Sequence, residues 1–258
     1  MVRTTVFLIL FAAIDAGTAV VVADEPSGQP PGFLKQEQLT ELGFHPLLAP
    51  DDPTLEKWNA TETHSSHWIV RDGVIRYDGD CGKLTGDERH LWSKQSFRDL
   101  QCYVEWRFPS EPTPQPQPIV LWNGDFLRDE HGKRITRLGL DAGDSGILFR
   151  GTMACQANIW CQELGSGEVN AYRTNNKLTT RLRQSCIPFA RADNPIGQWN
   201  AFLITLQNDR LSVQLNGQPV VKTRRLPNLP ESGPIGFQHH GDAVEFRNIW
   251  VKELANDE

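Results

Sequence analysis

The chain has 258 residues, 39% of them hydrophobic, with a formal net charge of −6 and a pI near 5.7. That is enough for one large all-β domain or two small domains, with a sizeable core. No run of Lys or Arg exceeds two residues, which excludes the basic stripe that a nucleic-acid backbone or an anionic membrane surface requires.

The N-terminus reads as an export signal over residues 1–23. Arg3 supplies the charged start, residues 6–14 the apolar stretch, and Ala16, Gly17, Ala19 and Ala23 the small residues of a cleavage region between Ala19 and Asp24. Asp15 interrupts the apolar run, which is too short to span a bilayer. An exported protein, periplasmic or secreted, with no membrane span after signal removal, is the expectation. Residues 24–32 are rich in Pro and Gly and read as a linker, leaving a single domain over 33–258. The five cysteines are Cys81, Cys102, Cys155, Cys161 and Cys186. Export permits disulfides, but an odd number leaves at least one thiol free or paired between chains. Cys155 and Cys161 form either a local bridge or two buried thiols, and their spacing is no zinc signature.

Residues 35–42 suggest a short helix, and from Phe44 onward short strands alternate with turns. Asp72-Gly73 lies between two apolar runs over 68–76 and predicts a tight hairpin. Leu100, Cys102, Val104, Trp106 and Phe108 alternate with polar or amphipathic residues, the pattern of a strand with one core face. Five prolines over 109–118 predict a surface loop that cannot join a sheet, and 123–136 a long polar loop. Residues 199–222, punctuated by Asn208-Asp209 and Asn216-Gly217, predict a three-stranded meander. Two further strands are expected over 236–239 and 244–251. No long helical period, internal repeat or second linker appears, so the chain reads as two packed antiparallel sheets.

The polar residues that could carry chemistry concentrate in three stretches. In residues 141–150, Arg150 ends a strand on which Ile147 and Phe149 face one way and Leu148 and Arg150 the other. It either forks onto sugar hydroxyls or an enolate, or forms a structural salt bridge. Asp141 and Asp144 suggest calcium only weakly, because the spacing does not match an EF-hand. In residues 156–160, Gln156, Asn158 and Trp160 share a strand face, and amides beside an aromatic plate suit a sugar. An ordinary solvated face is the alternative. Gly165-Ser166-Gly167-Glu168 lacks the features of a phosphate loop, and Tyr172 follows it. In residues 233–241, Gln238 and His240 share one side of a strand and His239 the other, so the adjacent histidines make a poor metal pair.

Taken in order, WxVxDG at 68–73, SGIxxR at 145–150, GxWN at 197–200, LNG at 215–217, GPIGFQHHG at 233–241 and FRNI at 246–249 resemble the 3-keto-disaccharide hydrolase domain family. The resemblance covers nearly all of the chain after the signal. It implies an all-β, concanavalin-like jelly-roll sandwich with a sugar cleft on its concave sheet, and activity on 3-keto glycosides by 1,2-elimination or hydration of the 3-keto-2-hydroxyglucal product. By position it implies catalytic roles for Arg150 as enolate stabiliser and His240 as acid or base, with Glu168 as second proton carrier or metal ligand. Substrate contacts would come from Ser145, Gln156, Asn158, Trp160, Tyr172 and Gln238. Gln156 and Asn158 stand where the family usually has Glu-x-Gln, so the expected carboxylate is an amide here. A divalent metal, Mn²⁺ or Ca²⁺, would suit the chemistry, and no organic cofactor is expected. The partner is a carbohydrate and not a nucleic acid. A carbohydrate-binding module without turnover and a two-carboxylate glycoside hydrolase are the alternatives.

Overall fold

The computed structural model describes residues 30–48 and 54–255. The export signal and most of the linker lie outside the described residues. The linker's last residues are docked: a Cβ on Gly32 would lie 2.1 Å from the Gly217 nitrogen, and φ there is +83°.

In chain order the strands are β1 (His45–Pro46), β2 (Trp68–Arg71), β3 (Val74–Tyr77), β4 (Leu91–Phe97), β5 (Leu100–Arg107), β6 (Thr113–Pro118), β7 (Thr136–Asp141), β8 (Asp144–Phe149), β9 (Thr152–Trp160), β10 (Asn200–Gln207), β11 (Arg210–Leu215), β12 (Gln218–Lys222), β13 (Gly233–Phe237) and β14 (Val244–Glu253). The helices α1 (Gln36–Glu41), α2 (Glu62–His67), α3 (Asn170–Thr174) and α4 (Thr180–Ser185) are all short. The larger sheet runs β12-β11-β10-β5-β14-β3-β2, with β1 paired to β14, and the smaller runs β4-β13-β8-β9. All pairings are antiparallel. The fold is the concanavalin-like jelly-roll sandwich.

Local chemistry accounts for the hairpins. Asp72 and Gly73 take φ of 53° and 70°, Asn216 and Gly217 51° and 78°, the positive angles a two-residue primed turn requires. Between the sheets Phe237 of β13 stacks on Phe246 of β14 at 4.2 Å, and Trp58 stacks on Phe237 at 4.8 Å. The five cysteines are all thiols, so Cys155 and Cys161 do not bridge. Burial pushes Cys102, Cys155 and Cys186 up to about 12.

Two features depart from the sequence pattern. First, β5 is buried on both faces, because Leu34, Leu39 and Phe44 from around α1 pack with Tyr103, Ala201 and Trp250 on the side opposite the core. The polar side chains there are satisfied: the Tyr103 hydroxyl donates to Glu105, which accepts from Arg247 and Asn248. Second, the proline-rich stretch does join a ladder, the β6–β7 ribbon. Pro114, Pro116 and Pro118 alternate with Gln115 and Gln117, so the residues that keep an N–H can all face β7 while the prolines face away.

Arg150 corrects a sequence expectation. It follows β8 at φ 54° and its side chain is buried, not displayed on the sheet. Its Nε donates to the Arg98 carbonyl at 3.0 Å and its Nη1 to the Pro230 carbonyl at 2.9 Å. Its Nη2 donates to Asp99 at 3.0 Å and to the Asn208 carbonyl. Asp99 also accepts the Asn208 N–H at 2.7 Å. The guanidinium thus ties the β4–β5 and β10–β11 turns to the end of the smaller sheet, and it is unavailable to an enolate.

Arg150→Met should therefore strand a buried carboxylate and cost about 3–5 kcal/mol. Urea unfolding of Arg150→Met, Asp99→Leu and the double variant should show strong non-additivity, with the double less destabilised than the sum.

Candidate functional site on the smaller sheet

The pleat divides β8, β9 and β13 into two sets. Ile147, Phe149, Cys155, Ala157, Ile159, Ile235 and Phe237 face the core. Gly146, Leu148, Gln156, Asn158, Gly236 and Gln238 therefore face the other way. Pairing brings them into rows: Gly236 lies opposite both Trp92 and Leu148, Leu148 opposite Gln156, and Gly146 opposite Asn158. The Gln238 N–H bonds the Gly146 carbonyl at 3.0 Å and extends the second row.

Two glycines form the floor. A Cβ on Gly236 would lie 2.4 Å from the Trp92 ring, so the indole rests on the strand. A Cβ on Gly146 would lie 3.1 Å from Gln238 Oε1 and 3.2 Å from Gln156 Oε1. Both amide oxygens are buried and accept no hydrogen bond from the protein. Gln156 Nε2 donates to Asn158 Oδ1 at 3.2 Å. Two convergent buried acceptors of this kind call for a hydroxyl or an ordered water as donor.

At one end of this face stands a titratable pair. His240 Nε2 is 3.9 Å from Asp144 Oδ2, and both side chains reach the surface. The Asp144 carboxyl is raised to about 6, chiefly by burial; Asp242 and Asp141 push the same way and His240 opposes them. His90, missed in the sequence, packs edge-on against Trp92 at 5.9 Å. Its Nδ1 accepts the His239 N–H at 3.0 Å, so its proton sits on Nε2. Burial lowers His90 to about 4, with Arg89, His239 and His240 acting in the same direction and Asp87 against it.

The expected residues divide accordingly. Gln156, Asn158 and Gln238 lie together and are buried, His240 is exposed beside Asp144, and His239 is engaged by the Tyr77 hydroxyl. Ser145 points the opposite way, its Oγ donating to the Gln238 carbonyl at 2.9 Å inside the sandwich. Tyr172 belongs to the core, its hydroxyl bonded to the Pro227 carbonyl. Trp160 shares the strand face of Asn158, but its Nε1 donates to the Gly165 carbonyl at 2.7 Å. Its ring walls a cavity of about 240 Å³ with Phe108, Arg191 and Asn194. Arg150 stands apart, in its clasp.

Glu168, expected as proton carrier or metal ligand, is fully buried and bonded to Arg173. Its second oxygen, Oε2, has no partner. Burial raises its carboxyl to about 7 against the opposing pull of Arg173. Its backbone carbonyl accepts the Asn158 N–H at 3.0 Å, which supports β9 from the side.

The residues expected to hold a divalent ion are not gathered into one set of charged donors. The donors over Gly146 are neutral amides, Glu168 already carries a guanidinium, and among the described residues no group of three His, Cys, Asp or Glu is placed to hold a metal.

Residues 43–252 match the family model described as the 3-keto-alpha-glucoside-1,2-lyase-like domain. No curated protein sequence matches. Among solved structures, the chain is similar to a Parabacteroides distasonis protein provisionally classed as a glycosyl hydrolase: TM-score 0.54, 16% identity, covering 87% of this chain and 100% of that one. A second Parabacteroides distasonis structure of the same provisional class gives TM-score 0.48 and 22% identity, over 81% of this chain and 82% of that one. At these identities the likeness speaks to fold alone.

The His90 environment predicts a pH effect. Its folded value lies below the unfolded one, so the unfolded chain binds more protons between about pH 6.5 and 4. The neutral His90 contribution is complete above that window and is lost as pH falls through it, by up to about 3 kcal/mol. In urea unfolding at pH 7, 5.5 and 4, His90→Gln should lose correspondingly less stability on acidification than the parent.

Proposed function

From membership of the 3-keto-alpha-glucoside-1,2-lyase-like domain family, to which this chain belongs, we propose that this carbohydrate-active protein cleaves 3-keto glycosides by 1,2-elimination and hydrates the resulting 3-keto-2-hydroxyglucal. The observation that carries this reading is the pair of titratable groups, Asp144 and His240, 3.9 Å apart at the end of a glycine-floored polar face.

The 3-keto group acidifies the hydrogen at C2 because the electron pair left behind delocalises onto the C3 oxygen. Asp144, raised to about 6, is a stronger base than an ordinary carboxylate and is still ionised at neutral pH. It takes the C2 proton; the electron pair forms the C1=C2 bond and the C1–O bond to the aglycone breaks. His240 delivers a proton to the departing oxygen. In the second half, water adds across C1=C2, oxygen to C1 and proton to C2, giving the free 3-keto sugar. His90 stays neutral at working pH with its proton on Nε2, so it can donate to the developing negative charge on the C3 oxygen. Gln156 and Gln238 accept from ring hydroxyls through the two oxygens above Gly146. Each of these assignments uses residues of the chain alone.

A binding module without turnover is the second reading. Gln156 stands where the resembling family usually has Glu, and Glu168, the nearest acidic residue in sequence to serve instead, is held by Arg173.

The test is incubation of the chain with a 3-keto-α-glucoside and with the unoxidised glucoside. Loss of the 3-keto substrate alone is expected, with kcat/KM rising through an apparent pKa near 6 and falling about 10²- to 10⁴-fold in Asp144→Asn. Absence of turnover with a sugar-dependent rise in Tm would establish the binding module, and cleavage of the unoxidised glucoside a hydrolase.

A further inference from the structure

The excursion between β6 and β7 builds a second polar site, remote in sequence from the first. Residues 119–135 fold back on themselves: Val120 bridges Phe126 and Arg128 bridges Arg134, both antiparallel. The Leu127 N–H bonds the Ile119 carbonyl at 2.8 Å and the Ile135 N–H bonds the Leu127 carbonyl at 2.9 Å. Arg128 and Arg134 are thus directly opposite each other. Side chains at such positions leave one face with Cβ atoms about 4.5–5.5 Å apart, and like charges there weaken the pairing.

Among the described residues neither arginine has a carboxylate in ion-pair contact, although Asp125 feels the charge of Arg128 from a distance. Arg128 donates to the Gly132 carbonyl at 2.6 Å, and Arg134 lies 4.1 Å over the Phe126 ring. With Arg183, Asn170 and Asn176 they line a groove of about 740 Å³ beside α3. The carboxylate in its wall, Asp125, is held by Arg183 at 2.6 Å, which lowers its pKa. Arg173 stacks on the same Phe126 ring at 4.5 Å but is neutralised by Glu168. The groove therefore carries a local positive excess on a chain whose net charge is −6. At its edge Trp122, in the turn between the lining residues Leu121 and Gly124, is 75% exposed.

We propose that this groove binds an acidic saccharide, its carboxylate or sulfate group held between Arg128 and Arg134. Arg128 reaches toward the Gly132 carbonyl and Arg134 toward the Phe126 ring, so the two guanidiniums leave between them a gap in which the oxygens of such a group can be contacted from both sides. The Asn170 and Asn176 amides serve neighbouring hydroxyls, and Trp122 offers a plate for an adjoining ring. The saccharide half rests on the carbohydrate reading above; the anion half rests on the arginine geometry alone.

Calorimetric titration of the full chain with glucuronate, glucose 6-sulfate, glucose and inorganic sulfate tests it. Glucuronate or glucose 6-sulfate should bind at least about tenfold more tightly than glucose, and the two acidic sugars separate a carboxylate site from a sulfate site. The preference should weaken with added salt and vanish in R128Q/R134Q, and fall in R134Q alone. Both variants should keep the parent Tm and the parent turnover of a neutral 3-keto glucoside. Equal affinity for acidic sugars and glucose, a preference that survives in R128Q/R134Q, or inorganic sulfate binding as tightly as both acidic sugars would each overturn the proposal. Failure of every 3-keto glucoside to turn over, with the acidic preference intact, would sink the lyase reading and leave this one standing.

Discussion

The stack of Phe237 on Phe246 holds the two sheets in register, and the placement of the candidate site follows from it. Phe237 is completely buried, so the direction of its side chain is not negotiable. Because neighbouring strand residues point to opposite faces, fixing Phe237 inward fixes Gly236 and Gln238 outward. Through the β13–β8 pairing the same constraint turns Ile147 inward and Gly146 and Leu148 outward; through β8–β9 it turns Ala157 inward and Gln156 and Asn158 outward. A one-residue slip would bury the amides and expose the aromatic core. Apolar burial in the core thus orders the polar face without any contact between the two.

Much of this was legible in the sequence. The hairpins follow from Asp72-Gly73 and Asn216-Gly217, whose positive φ angles few other residue pairs adopt. The shared face of Gln156 and Asn158, and that of Gln238 and His240, follow from period two. Arg150 was misplaced because strand periodicity says nothing about the residue at which the strand stops. Its positive φ redirects the side chain, and its partners, Arg98, Asp99, Asn208 and Pro230, are scattered over more than a hundred residues of sequence. Ser145 and Tyr172 were expected at the substrate from the resemblance, whereas pairing and packing turn them inward. His90 carried no signal of its own. It precedes β4, a strand whose polar stretch 94–96 masks its alternation, and its neutrality depends on an enclosure made by distant residues.

Glu168 illustrates how burial and an ion pair limit what a carboxylate can do. With an amide at Gln156, the polar floor is uncharged. The buried carboxylate that remains sits beyond β9, paired with Arg173, and it is the Glu168 backbone carbonyl, not the charge, that supports Asn158. In the function proposed above, proton transfer falls instead to Asp144 and His240, which reach the surface at the end of the face.

The alternation of prolines in β6 has a consequence for how the molecule behaves in company. An exposed strand edge ordinarily offers a row of amide donors and acceptors to which another chain can add, and the neighbouring β7 displays Leu138 and Leu140 to solvent. The outer side of β6 presents Pro114, Pro116 and Pro118, which have no donor to give, so a foreign strand would find at most half of the ladder it needs. The β6 edge of the ribbon is thereby a poor seed for intermolecular β-sheet growth, and only the β7 edge keeps its donors.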